Sequence, residues 1–126
     1  MNPLTMREGV LVLERSFTRS AGEAVAAWRP EARIVKTLNQ VGAAVMADTR
    51  GYQAPPVMFM ASDHPEAKAP VAGLLMDLGF DPLDAGGLRQ SRDLEPYAMA
   101  RIHQALYRGK QSPWALAALR PGPVSS

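Results

Sequence analysis

Unbroken apolar runs alternate along this chain with segments of helical period. Val57-Met58-Phe59-Met60-Ala61 is wholly apolar, the pattern of a strand covered on both faces. Arg33 to Leu38 carries a second run, Ile34-Val35, and hands over to the polar pair Asn39-Gln40. Phe80 to Asp84 is a third, placed at a sheet edge because Pro82 has no N–H for a ladder. Val10 to Leu13 reads as a short strand or a buried loop. Helices fall between these runs. Ser20 and Glu23 have capping-box spacing, and Ala21, Ala24, Val25 and Trp28 follow on one face, with Trp28 in or near the core and Pro30 ending the helix. Val41 to Ala47 predicts a short helix. Asp63 and Glu66 repeat the capping-box spacing before a helix to about Leu78, with Val71, Leu74, Leu75 and Leu78 as its buried stripe, Pro70 as a bend and Gly79 as its terminator. Pro96 opens a last helix with Ala98, Ile102, Ala105 and Leu106 on one face. Trp114 to Leu119 reads as one or two helical turns, and Pro121 to Ser126 as disordered.

Strand, helix, strand, helix, strand at this spacing predicts an α/β fold with right-handed crossovers. The expected architecture is a partial Rossmann-like parallel sheet of about three to four strands, flanking helices and a C-terminal helix after the last strand. The 126 residues make one such truncated domain: an irregular lead-in over 1–19, a core over 20–108 and a tail over 109–126.

Composition narrows the function classes. Apolar residues are 47% and charged residues 21%, ordinary for a soluble globular domain, and a soluble cytoplasmic protein is the expectation. The net charge is +2 with bases and acids interleaved, which gives no electrostatic case for nucleic acid. Cysteine is absent, so disulfides, thiol catalysis and Cys-based zinc sites are excluded. No apolar run approaches the roughly 20 residues of a membrane span, and no hydrophobic signal segment opens the chain. His64 and His103 stand far apart, with no Glu at ligand spacing, so no metal site is expected. Asp81 and Asp84 read as strand-end solvation and turn capping rather than a catalytic pair. The seven Met are core filler, and Tyr97 and Tyr107 packing residues.

The informative stretch is Arg33 to Asp48, RIVKTLNQVGAAVMAD. A buried strand ending in polar side chains before a helix is the edge of a ligand crevice in an open α/β sheet. The plainer use of a strand-end Asn is to cap the next helix, and spacing alone favours that use for Asn39.

Four segments, in order, carry a family resemblance: Asn2-Pro3-Leu4, RIVKTLNQVGAAVMAD, PPVMFMASDHPEAKAPVAGLLMDLGFDPLDAGGL and LEPYAMARIH. Together they resemble the later part of the NADPH-dependent deazaflavin (coenzyme F-420) reductase-like oxidoreductases, relatives of the STEAP reductase domain. The resemblance runs from Asn2 to about Arg108. It implies an NADP-dependent enzyme in which hydride passes directly between cofactors, so that side chains position rings and no catalytic acid or base is needed. It also implies that Asn2, Asn39, Gln40 and Val41 line the cofactor crevice, with Gln40 where Thr is usual. The family's opening strand and glycine-rich pyrophosphate turn have no counterpart here: Gly86-Gly87 is not G-x-G-x-x-G and follows the last strand. The partners this suggests are a separate nucleotide-binding half or a second copy of the chain in a homodimer. The reading from another class is a non-catalytic assembly module with an exposed sheet edge.

Overall fold

The computed structural model describes residues 2–13, 19–108 and 114–122. Strands β1 (Leu4–Arg7) and β2 (Val10–Leu13) form an antiparallel hairpin in which Leu4 faces Leu13 and Arg7 faces Val10. Glu8 (φ 51°) and Gly9 (φ 77°) supply the two left-handed residues that a tight hairpin turn needs. The open choice for Val10–Leu13 thus resolves to a strand. Helix α1 (Ala21–Trp28) begins on the predicted capping box. Ser20 Oγ accepts the Glu23 N–H at 3.1 Å, and Glu23 accepts from the Ser20 N–H at 3.3 Å.

A short helix α2 (Ala43–Ala47) leads to strand β3 (Val57–Ala61). Helix α3 (Pro65–Asp77) then crosses to β4 (Asp81–Gly86), and β3 and β4 pair in parallel, Val57 beside Asp81 and Phe59 beside Leu83. The expected α/β class with a parallel sheet therefore holds. A 3-10 turn (Leu88–Gln90) opens the C-terminal helix α4 (Ser91–Tyr107). Val45, Met58, Met60, Leu75 and Phe80 make the core between α2, α3 and the sheet.

Several elements differ from their sequence patterns. Arg33–Leu38 forms no regular strand. It touches β3 through one antiparallel bridge, Lys36 with Ala61 (N···O 2.8 and 2.9 Å), so the parallel sheet has two regular strands. Leu38 sits in the left-handed region (φ 62°), which ends the extended run and turns Asn39 and Gln40 inward. Asp63 does not cap α3. His64 is the N-cap without a side-chain bond, Pro65 holds the first position, and Asp63 instead accepts the Leu88 N–H at 2.9 Å.

In α3 only Leu75 of the expected stripe is buried, while Leu74 (53% exposed) and Leu78 (39%) face outward. Two strands about 5 Å apart cover a single row of a helix. Gly79 ends the helix as expected, at φ +92°. Trp28 is 65% exposed rather than in the core, because α1 approaches its neighbours through its small first turn. There a Cβ at Gly22 would lie 2.7 Å from Ser91 Oγ. Helix α4 starts at Ser91, a turn before Pro96, which lies inside it, and Leu106 on its expected face is exposed.

The segment 114–119 is not helical. The Leu116 carbonyl accepts the Val57 N–H at 2.8 Å, so this segment runs along the start of β3. Parts of the lead-in (1 and 14–18) and of the tail (109–113 and 123–126) lie outside the described residues. Among the described residues no helix is long and apolar enough to cross a membrane.

Candidate functional site

The direction of Arg33–Leu38 decides where the predicted site falls. Ser62 Oγ donates to the Ile34 carbonyl (2.6 Å), whereas Thr37 Oγ1 reaches Phe59 O (2.8 Å), so the segment runs opposite to β3. Asn39, Gln40 and Val41 therefore stand beside the middle of β3, on the side of its amino end.

Leu38's turn brings three of the four predicted residues into one network. Asn2 Nδ2 donates to the Asn39 carbonyl (2.9 Å), and Asn39 Nδ2 donates back to Asn2 Oδ1 (3.0 Å). Asn39 Nδ2 also reaches Leu94 O on α4 (3.1 Å), and Gln40 Nε2 reaches Asn39 Oδ1 (2.9 Å). Asn39 caps no helix, since the α2 N-cap is Gly42. Gln40 spends its remaining groups on Phe59: Oε1 accepts the N–H at 2.8 Å and Nε2 donates to the carbonyl at 3.0 Å. Val41 packs against the core cluster. Asn39 (7% exposed) and Gln40 (2%) are buried, while Asn2 is half-buried. This order suits buried amides, which must find partners.

Under the network lies an ion pair that sequence reasoning passed over. Lys36 Nζ stands 3.1 Å from Glu95 Oε2, with side chains 5% and 0% exposed. Glu95 also accepts the Ala21 N–H (2.9 Å to Oε1, 3.1 Å to Oε2) and the Gly22 N–H (3.4 Å). A carboxylate on the open N–H groups of a helix start is well placed electrostatically, and here it ties α1, α4 and the Arg33–Leu38 segment together. A signal existed: Lys36 interrupts an apolar run, and Glu95 stands between Leu94 and Pro96.

Two further side chains of α4 face this end. Tyr97 meets Phe59 edge to face (centroids 5.7 Å apart, planes at 86°) at a cavity of about 330 Å³ that Ala85, Gln90, Asp93 and Leu94 complete. Burial pushes the Tyr97 hydroxyl above the usual phenol value, and the positive charge of Arg101 opposes that shift. Arg101, one turn on, lies over the Trp114 ring (Cζ 5.5 Å from its centroid), with its guanidinium against the backbone of Gly42. A larger hollow of about 580 Å³ between Tyr52–Ala54 and Trp114–Ala117 is lined by no charged side chain.

The other candidates are committed to structure. Asp81 pairs with Arg120 (2.9 Å). Asp84 binds Lys68 (2.9 Å) and the Gly86 N–H (2.8 Å), and the Lys68 bond holds its carboxyl below the usual range. His64 stands 3.5 Å from Glu66, and His103 packs on Tyr107 (4.9 Å). No group of three or more potential metal ligands occurs among the described residues. Among the described residues no glycine-rich turn forms a cradle for the pyrophosphate of a dinucleotide. The left-handed glycines Gly9, Gly51, Gly79 and Gly86 punctuate a hairpin, a loop, a helix end and a strand end, and none forms a glycine-rich turn between a strand and a helix.

No family model matches the chain, and no curated protein matches it. Among solved structures it is similar to the crystal structure of a candidate F420-dependent NADP reductase from Arthrobacter sp. FB24, with 34% identity and a TM-score of 0.78 over 86% of this chain. The match covers 50% of that chain, so the present sequence spans about half the length of its solved relative. The family resemblance carried by the four sequence segments, over part of the family's length, is borne out.

Proposed function

We propose that this chain, a part-length relative of the F420-dependent NADP reductases, is the acceptor-side portion of an NADP-linked oxidoreductase. In that reading hydride transfer belongs to the bound cofactors, and the chain supplies shape, hydrogen bonds and charge around the acceptor ring. Asn2 is the half-buried amide at the edge of the crevice. Asn39, Gln40 and Val41 form its wall, with the two amides acting through Asn2 and Phe59. The edge-to-face pair Phe59 and Tyr97 offers an aromatic flank for a planar ring. The observation that carries the reading is the part-length likeness: one fold half, at 34% identity, matched over 86% of this chain.

NADP binding in this reading needs a phosphate cradle that the described residues do not supply. Isothermal titration with NADPH tests this. The chain alone is expected to bind poorly, and the chain mixed with the half of the Arthrobacter relative that it does not match is expected to bind. No binding in the mixture removes the proposal.

One observation favours a second reading, self-assembly. Leu74, Met76 and Leu78 are 53%, 58% and 39% exposed at the end of α3. Light scattering at low micromolar concentration separates the two: a homodimer supports assembly, and a well-folded monomer argues against it.

A further inference from the structure

The described residues include four Lys or Arg side chains that are at least half withdrawn from solvent: Lys36, Lys68, Arg92 and Arg101. Lys36, Lys68 and Arg92 each have a carboxylate within 3.1 Å (Glu95, Asp84 and Glu23). Arg101 has no carboxylate within the 4.0 Å of an ion pair among the described residues. Its Nε is buried with no hydrogen-bond partner, and among the described residues its guanidinium makes one long bond, Nη2 to the Trp114 carbonyl at 3.4 Å. Withdrawing a guanidinium from water without a counter-charge is costly, and arginine cannot shed its proton to escape that cost.

The guanidinium is nevertheless held in place. A Cβ at Gly42 would stand in ordinary contact with Nη2 (3.4 Å) and Nη1 (3.5 Å), so the guanidinium lies against this stretch of backbone, and Cζ sits 5.5 Å from the centroid of the Trp114 ring. A planar cation held between a backbone and a ring, with donors that the protein does not take up, is suited to bind an oxyanion through paired N–H bonds. Arg101 is also one helical turn from Tyr97 and borders Gly42, two residues beyond Gln40 of the amide network.

The geometry points to Arg101 as the oxyanion-binding residue of the crevice, clamping a phosphoryl or carboxylate group of the acceptor against Gly42 and Trp114. This rests on the reading of that end as the acceptor side. Trp114 belongs to a segment that sequence patterning placed in a helix, so its stacking on Arg101 was not foreseeable from spacing.

The test is an amide NMR titration of the full chain, at low salt, with inorganic phosphate and in a parallel series with acetate. The Gly42 amide and Trp114 indole signals are expected to shift saturably with phosphate, acetate or both, and the stronger of the two identifies the anion class. Arg101→Met is expected to weaken binding at least about tenfold, since bonds to charged groups are strong, and Arg89→Met, on an exposed residue, to leave it unchanged. Arg101→Lys keeps the charge but loses the planar fork, and a several-fold loss is expected if Arg101→Met fails to fold. Absence of any saturable shift, or Arg101 variants that titrate like the parent, overturns the inference. Coenzyme F-420 as ligand separates the two claims. Binding that Arg101→Met leaves untouched overturns the inference alone. Phosphate binding at Arg101 without any coenzyme binding overturns the acceptor-side reading alone.

Discussion

The carboxamide of Gln40 takes both backbone groups of Phe59, the N–H at 2.8 Å and the carbonyl at 3.0 Å. A side chain thus makes the pair of bonds that a neighbouring strand would make in a ladder. It does so where Arg33–Leu38 leaves β3 after a single bridge. Thr37 Oγ1 also donates to the Phe59 carbonyl (2.8 Å), so removal of Gln40 leaves the N–H as the orphan.

Gln40→Ala is therefore expected to cost about 2 kcal/mol, the penalty of one unpaired buried donor plus lost packing. Gln40→Thr, the residue usual in the resembling family, is too short to span both groups and should cost nearly as much. Urea unfolding of the two variants checks this. Stabilities within a few tenths of a kcal/mol of the parent would show that the pairing carries no weight.

For the Lys36–Glu95 pair the single variants are expected to cost more than a neutral double replacement. Glu95→Ala removes this counter-charge from beside Lys36 and opens the Ala21 and Gly22 amides, and Lys36→Met leaves a buried carboxylate. Each is expected to cost about 3–5 kcal/mol. Lys36→Met combined with Glu95→Gln restores a neutral partner for the α1 amides and is expected to recover part of the loss. A double-mutant cycle from denaturant curves measures the coupling.

Acid should loosen α1. The Arg92 hydrogen bond, with the Ser20 bonds, holds the Glu23 carboxyl below its ordinary value of 4.5. A lowered folded pKa contributes stability that is fully present above that ordinary value and is lost as pH falls through the folded value. Thermal unfolding followed from pH 7 down to pH 3 should show this decline, and Glu23→Gln should flatten its contribution while lowering stability at neutral pH. An unchanged acid limb in Glu23→Gln would contradict the assignment.

Backbone conformation supplies a fourth expectation. Gly79 has φ +92°, and a Cβ there would run into Thr49, whose hydroxyl donates to the Leu78 carbonyl at 2.8 Å. Gly79→Ala is expected to cost about 2 kcal/mol from left-handed strain and displacement of Thr49. Gly51, at φ +88° with open space around it, should lose less when changed to Ala, which circular dichroism melts can compare.

The elements most legible in the sequence were those whose cause is local. The Ser20–Glu23 box, the Val57–Ala61 run and the Gly79 terminator each follow from a few neighbouring residues and stand where their patterns put them. Arg33–Leu38 failed as a strand because pairing is non-local. Its β-branched residues favour extension, but Leu38 turns out of it and Gln40 replaces its backbone bonds. Leu74 and Leu78 failed as core because periodicity names a helix face without saying how wide the sheet beneath it is. Asn2, Asn39 and Gln40 could be named from the resemblance, whereas their mutual hydrogen bonds could not. Glu95 stands 59 positions after Lys36, and Trp114 stands 13 after Arg101, so the Lys36–Glu95 pair and the Arg101–Trp114 stack form only on folding.

The most direct test of the acceptor-side reading is reconstitution. The chain is mixed with the half of the Arthrobacter relative that it does not match, and NADPH-dependent bleaching of coenzyme F-420 fluorescence is followed. Bleaching that requires both pieces, and that falls when Asn2 or Arg101 is replaced, is the predicted result. No bleaching from a mixture in which both pieces are folded and associated would contradict the account.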